Sequence, residues 1–315
     1  MQIIRAMLLV TCLLLGCFLL YIFLPNFNQP KQVSVDSQST LLKEQINLED
    51  TSDEEDQIEE GNQLAADENQ NLPITEEIKE KVRAVLDDVF IFFKKDLKIV
   101  SIGDSLTQGV GDETESGGYV GILDHTFEDQ NLNITIENFG KKGNRTDQLL
   151  KRLEKKEVKS AIKDANIVLI TIGANDIMKV VQNNWSNLNM EPFQEERVKY
   201  VERLSSIFNK IIEINPKAEI YLIGFYNPFE RYFGEIEQLG MIMESWNEAG
   251  MVVTEEFENV NYIPINDLFS SSDENLLAED HFHPNTKGYK LMARRVLDFL
   301  EEFSEEKEIT NETIN

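Results

Sequence analysis

The sequence predicts an α/β protein of three layers, α/β/α, with a central parallel sheet of about five strands. Three observations predict it. Short β-branched runs alternate with helical patterns of ten or more residues, the spacing of strand–helix–strand crossovers. One run, residues 167–172 (IVLITI), is apolar throughout, as a strand covered on both faces must be. Runs stop in Gly, Ser, Asn or Asp, residues that turn a strand into a loop or cap the next helix.

Residues 6–24 (AMLLVTCLLLGCFLLYIFL) carry no charge and follow Arg5. As a helix they would span roughly 28 Å, enough for a bilayer core of about 30 Å. The reading is an uncleaved transmembrane anchor, residues 1–25. A cleaved signal peptide needs a shorter apolar region and a small-x-small site, whereas Pro25-Asn26-Phe27-Asn28 follows. Arg5 on the short leading side places the rest of the chain outside the cytoplasm, single-pass. The alternative is a lipoprotein anchored through Cys17, because Leu14-Leu15-Gly16-Cys17 faintly resembles a bacterial lipobox. Residues 26–74 are polar, acidic and without aromatics after Phe27, the composition of a disordered acidic linker. A calcium-binding tract is the sharper reading of these carboxylates, but no regular ligand loop with a turn glycine is present.

The globular domain is read as residues 75–303. A helix from Thr75 carries Ile78, Val82, Val85, Leu86, Val89 and Phe93 at three- and four-residue spacing and is expected to pack on a sheet edge. Strands follow at 97–103, 134–138, 167–172, 219–225 and 262–265, with helices over 119–127, around 149–153, 192–214, from the 226–233 loop to about 257, and 285–303. Helix 192–214 presents Val198, Val201, Leu204, Ile207, Phe208, Ile211 and Ile212 to the core. Tyr226, Phe229, Tyr232 and Phe233 read equally as contacts for a lipid-like group or as core beneath a loop. Residues 304–315 form a polar tail expected to fray.

The chain's formal net charge is −27, from 57 Asp and Glu against 30 Lys and Arg, and it shows no basic patch with interleaved aromatics. That balance disfavours a nucleic-acid partner. Its two cysteines, Cys12 and Cys17, both lie in the apolar N-terminal run, so the globular region has no disulfide framework or cysteine metal site. No metal and no cofactor is implied, and oligomeric state is not legible.

Four clusters stand at loop positions: Gly103-Asp104-Ser105-Leu106, Gly143, Gly173-Ala174-Asn175-Asp176 and Asp280-His281-Phe282-His283-Pro284. In a doubly wound sheet the carboxyl ends of neighbouring strands converge, so distant residues can line one pocket. Read singly, Gly143 is as well a turn and Asn175 a helix cap. Together, in this order, the clusters resemble the four blocks of the GDSL, or SGNH, hydrolases over about residues 97–299. The resemblance implies a flavodoxin-like SGNH hydrolase fold and serine-dependent hydrolysis of carboxylic esters of lipase, esterase or acylhydrolase type. It makes Ser105 the nucleophile, His283 the base and Asp280 the group that orients the imidazole. The oxyanion hole would be the N–H groups of Ser105 and Gly143 and the side-chain amide of Asn175. The chemistry agrees, since a serine hydroxyl is a poor nucleophile until an adjacent base takes its proton. Asp176 is expected to stabilise its loop, while His281 and His125 stand outside the machinery. The expected partner is an ester-bearing lipid or an acylated glycan, with the membrane met through the N-terminal helix. O-acetyl esterase action on envelope polysaccharide is the alternative, and a non-catalytic binder of acylated envelope polymers is the reading from another class.

Overall fold

The computed structural model describes residues 97–129, 133–184 and 188–314. The apolar run at 6–24, the acidic linker and the helix expected from Thr75 lie outside the described residues. Among the described residues no helix is long and apolar enough to cross a membrane.

Five strands occur where the runs predict them: β1 (Leu97–Gly103), β2 (Ile134–Gly140), β3 (Ile167–Thr171), β4 (Glu219–Ile223) and β5 (Val260–Ile263). They form one parallel sheet in the order β2-β1-β3-β4-β5. In β1, side chains alternate between faces, as a pleated strand requires. Val100 and Ile102 enter one core with Val168, Ile170, Ile220 and Leu222, while Leu97 and Ile99 enter the other with Leu169 and Tyr221. Both faces are therefore buried, which explains why β1, β3 and β4 tolerate so few polar residues.

The helices are α1 (Ser105–Gln108), α2 (Gly118–Asp129), α3 (Thr146–Arg152), α4 (Lys156–Lys163), α5 (Ala174–Asn184), α6 (Met190–Ile214), α7 (Glu230–Phe233), α8 (Glu237–Thr254), α9 (Asn266–Ser270) and α10 (Thr286–Ile314). Side chains of α4, α6 and α8 fill the first core, and those of α2 and α10 fill the second. That is the predicted three-layer α/β/α arrangement.

Two expectations need correction. Val198 is 58% exposed, and Phe193 and Tyr200 take core positions on α6 instead. At 3.6 residues per turn Val198 sits about 120° around the helix from Leu204, outside the buried stripe. The last helix continues to Ile314 rather than ending near residue 303. Its extension includes Glu305, Glu306, Lys307 and Glu308, which are good helix formers.

One register detail positions the site. Gly103 at the end of β1 lies opposite Gly140 of β2 and Thr171 of β3, so three strands end level. Their loops leave from one edge. The chain moves from β1 to β2 on one side and then to β3 on the other, which makes that edge a topological switch point, where doubly wound sheets bind ligands.

Candidate active site

Ser105 is the first residue of α1 and is buried at the end of β1. Asp104 caps that helix: its Oδ1 accepts from the Leu106 N–H (3.0 Å) and from the Thr171 hydroxyl (2.8 Å). The carboxylate thus fixes the exit of β1 to the exit of β3. The Ser105 carbonyl accepts the N–H groups of Gly109 and Val110, each at 3.0 Å, so α1 is one tight turn around the serine.

The β2 loop brings Gly143, whose φ of +71° is a left-handed conformation that glycine adopts without steric cost. Beside it, the Asn144 carbonyl accepts from the Asn175 side-chain amide at 3.1 Å. Asn175 lies in the first turn of α5, a helix that begins where the sequence pattern predicts a loop. Asp176 does hold this region together, as expected. Its carboxylate accepts from the Thr146 N–H (3.0 Å), the Thr146 hydroxyl (2.6 Å) and the Arg203 guanidinium (3.0 Å), joining α5 to α3 and α6. Burial pushes the Asp176 carboxyl above the ordinary carboxylate value.

Arg152 was not foreseen. Its guanidinium donates to the carbonyls of Gly103 (3.2 Å) and Phe139 (2.7 Å) and to Asn144 Oδ1 (2.7 Å), clamping the ends of β1 and β2 to the Gly143 loop. A lone arginine on a short helix gives no sequence signal of such a role.

The Asp280–His283 turn is built by one carboxylate. Asp280 Oδ1 accepts the backbone N–H groups of Phe282 (3.0 Å) and His283 (2.9 Å), while Oδ2 lies 2.6 Å from His283 Nδ1. Burial pushes the Asp280 carboxyl up. The hydrogen bond and charge attraction of His283, with the two backbone N–H groups, outweigh it and hold the pKa below the ordinary range. An ionised carboxylate can only accept, so Nδ1 carries the proton and Nε2 is the basic nitrogen. His283 is 1% exposed. His281 takes a left-handed φ of +58° and turns its ring toward Tyr232, 4.6 Å away, outside this pair. His125 lies 3.7 Å from Glu128 on the surface of α2.

Ser105 and Asn175 line one cleft together with Phe282, the residue before His283. The rest of its wall is Leu106, Ala174, Ile177, Met178, Phe225, Tyr226, Pro228, Phe229 and Met243. The aromatic loop is therefore both core and cleft wall: Tyr226 and Phe229 are buried yet face the cavity, and the Tyr226 hydroxyl donates to the Phe282 carbonyl at 2.5 Å. Among the described residues no group of His, Cys, Asp and Glu is placed to hold a metal ion.

Asp112 stands in the acidic, glycine-rich loop between α1 and α2, where no motif singles it out. Its carboxylate accepts from the Thr114 N–H (3.2 Å) and hydroxyl (2.8 Å), the Ser116 hydroxyl (2.6 Å), the Gly118 N–H (3.0 Å) and the Thr286 hydroxyl (2.7 Å). Burial pushes this carboxyl up, but the bonds from Ser116, Thr286 and Thr114 outweigh it and hold its pKa below 3.8. A pKa depressed by folding gives stability that is complete above about pH 5 and lost as pH falls through the folded value, below about pH 4. The urea midpoint of Asp112→Asn is therefore expected to trail the parent's by a constant margin near neutrality. The margin should narrow in acid, and a margin unchanged at the lowest pH would show that Asp112 is not the ionised hub described.

Residues 101–291 match the GDSL-like lipase/acylhydrolase family, an interval containing Ser105, Gly143, Asn175, Asp280 and His283. The chain is 38% identical over 207 residues to the uncharacterized protein YpmR of Bacillus subtilis, covering 64% of this chain and 81% of that protein. It is 25% identical over 208 residues to the spore germination lipase LipC of Bacillus licheniformis, covering 64% and 94%. Among solved structures, the lipase Lip_vut3 from a goat rumen metagenome superposes with a TM-score of 0.57 at 25% identity, over 64% of this chain and 95% of that one. Because the family match takes in well over half of the chain, from β1 into α10, the chain belongs to the GDSL-like lipase/acylhydrolase family and is a hydrolase of that family.

Proposed function

We propose that this hydrolase cleaves carboxylic esters whose acyl part is an apolar chain, with Ser105 as nucleophile, His283 as general base and Asp280 holding the imidazole. The observation that carries the reading is the cleft in which Ser105 and Asn175 meet a wall of aliphatic and aromatic side chains. Ser105 attacks the acyl carbonyl as His283 Nε2 takes its proton. The same nitrogen then returns the proton to the departing alcohol, and water repeats the sequence on the acyl-enzyme. The tetrahedral oxyanion is met by the N–H groups of Ser105 and Gly143 and by the Asn175 amide. That amide has two hydrogens, and only one is needed for the Asn144 carbonyl. The apolar run at 6–24 after Arg5 supports a further part of the proposal, an anchored enzyme working outside the cytoplasmic membrane on lipid-like esters.

An acyl-chain series from acetyl to palmitoyl on one alcohol tests the reading. Each methylene buried is worth about 0.8 kcal/mol, so kcat/KM should rise about fourfold per methylene until the cleft is filled. A maximum at acetyl would replace this reading with O-deacetylation of envelope polysaccharide.

Asn175→Ala separates an oxyanion donor from a structural amide. A donor used only in the transition state acts on kcat, at a cost of about a hundredfold or more. The lost bond to Asn144 costs about 1 kcal/mol of stability. The expected result is kcat down by about two orders of magnitude, with KM little changed and the melting temperature a few degrees lower. A normal kcat with a lowered melting temperature would leave Asn175 a purely structural role.

A further inference from the structure

We infer that Asp112 is a positioning residue that sets the spacing between the nucleophile and its base, acting through the hydroxyl of Thr286. The inference rests on the hydrolase reading of Ser105 and His283.

The segment joining α1 to α2 starts beside the serine and passes against His283 at Gly111. Its first residues are fastened to Ser105, whose carbonyl takes the N–H groups of Gly109 and Val110 at 3.0 Å. Val110 is also tied to α10, its carbonyl accepting the Tyr289 hydroxyl at 2.6 Å. Gly111 has a φ of +91°, and a Cβ built there would lie 2.8 Å from His283 Cβ and 2.7 Å from the Pro284 carbonyl oxygen. The Gly111 backbone is thus the surface against which His283 rests, and no side chain fits between them.

What holds that backbone in place is the residue after it. Asp112 is 7% exposed, and four of the five hydrogen bonds to its carboxylate come from its own loop and the start of α2. The fifth, from Thr286, is the bond that crosses to the base-bearing turn. Thr286 opens α10 three residues after His283, so this bond fixes the turn against the Ser105 loop at the point where the two chain ends of the site meet. Hydrogen bonds to an ionised carboxylate are about twice as strong as neutral ones. None of Gly111, Asp112 and Thr286 lines the acyl cleft, so their effect on the reaction runs through the geometry of Ser105 and His283.

The test compares Thr286→Val, Thr286→Ser and Thr114→Val in the full chain, assayed well below their melting temperatures. Thr114→Val removes a hydroxyl from the same carboxylate without touching the crossing bond. Thr286→Val is expected to lower kcat and the rate of covalent labelling by a fluorophosphonate about tenfold, with KM unchanged, since small misplacements of reacting groups cost up to about a hundredfold. Thr286→Ser, which keeps the hydroxyl, should restore both rates, and Thr114→Val should lose stability alone. If Thr286→Val behaves like Thr114→Val, the positioning role is overturned while the hydrolase reading stands. A parent protein that neither hydrolyses esters nor takes the label overturns both.

Discussion

Ser105→Ala is expected to lower kcat by about a million-fold, the size of loss seen when a triad serine is removed. The substitution deletes one hydroxyl and leaves the backbone that shapes the site. The Ser105 carbonyl still receives Gly109 and Val110, and Asp104 still caps α1. Melting temperature and sheet content should therefore match the parent, and fluorophosphonate labelling should vanish. Activity retained at even a tenth of the parent level would end the assignment of Ser105 as nucleophile.

The second large effect separates the base from its orienter. His283→Ala removes the proton acceptor and should cost about as much as losing the serine, because members of a triad act as a unit. Asp280→Asn should cost less, about ten-thousand-fold. The asparagine oxygen can still accept the N–H groups of Phe282 and His283, so the turn survives. Its amide then faces Nδ1, 2.6 Å away in the parent, and favours the tautomer with the proton on Nε2. That tautomer cannot take the proton from serine. Comparing the two rate constants on one ester checks the roles, and the reverse order would mean that Asp280 and His283 are misassigned.

What the sequence made legible follows from how local each signal was. Strands β1 and β3 could be read because interior parallel strands are apolar on both faces and stop abruptly at Gly103 and near Gly173. Motif order pointed to one edge of the sheet, and Ser105, Asn175 and Phe282 line one cleft there. Helix α5 was not read because it opens on Ala-Asn-Asp, residues of mixed helix preference that serve as hydrogen-bond groups at its N-terminus. Val198 was misplaced because a stripe extrapolated along a 25-residue helix gathers residues from its flank. Asp112, Arg152 and Arg203 were invisible for a different reason. Each has a partner far along the chain, such as Thr286 for Asp112 or Asp176 for Arg203, and such pairings leave no local pattern.

The placement of β1 inside the sheet, with its base supplied by the last loop before α10, has a consequence for how the molecule comes into being. Ser105, Gly143 and Asn175 leave the ribosome first, and β1, β2 and β3 can pair around them. His283, the proposed base, follows Ser105 roughly ten to thirty seconds later at ordinary synthesis speeds. A nascent or truncated chain ending before residue 280 has the proposed nucleophile and oxyanion donors but lacks the proposed base. With the proposed roles, such a chain is expected to be inert, with turnover appearing only once α10 has docked against α2.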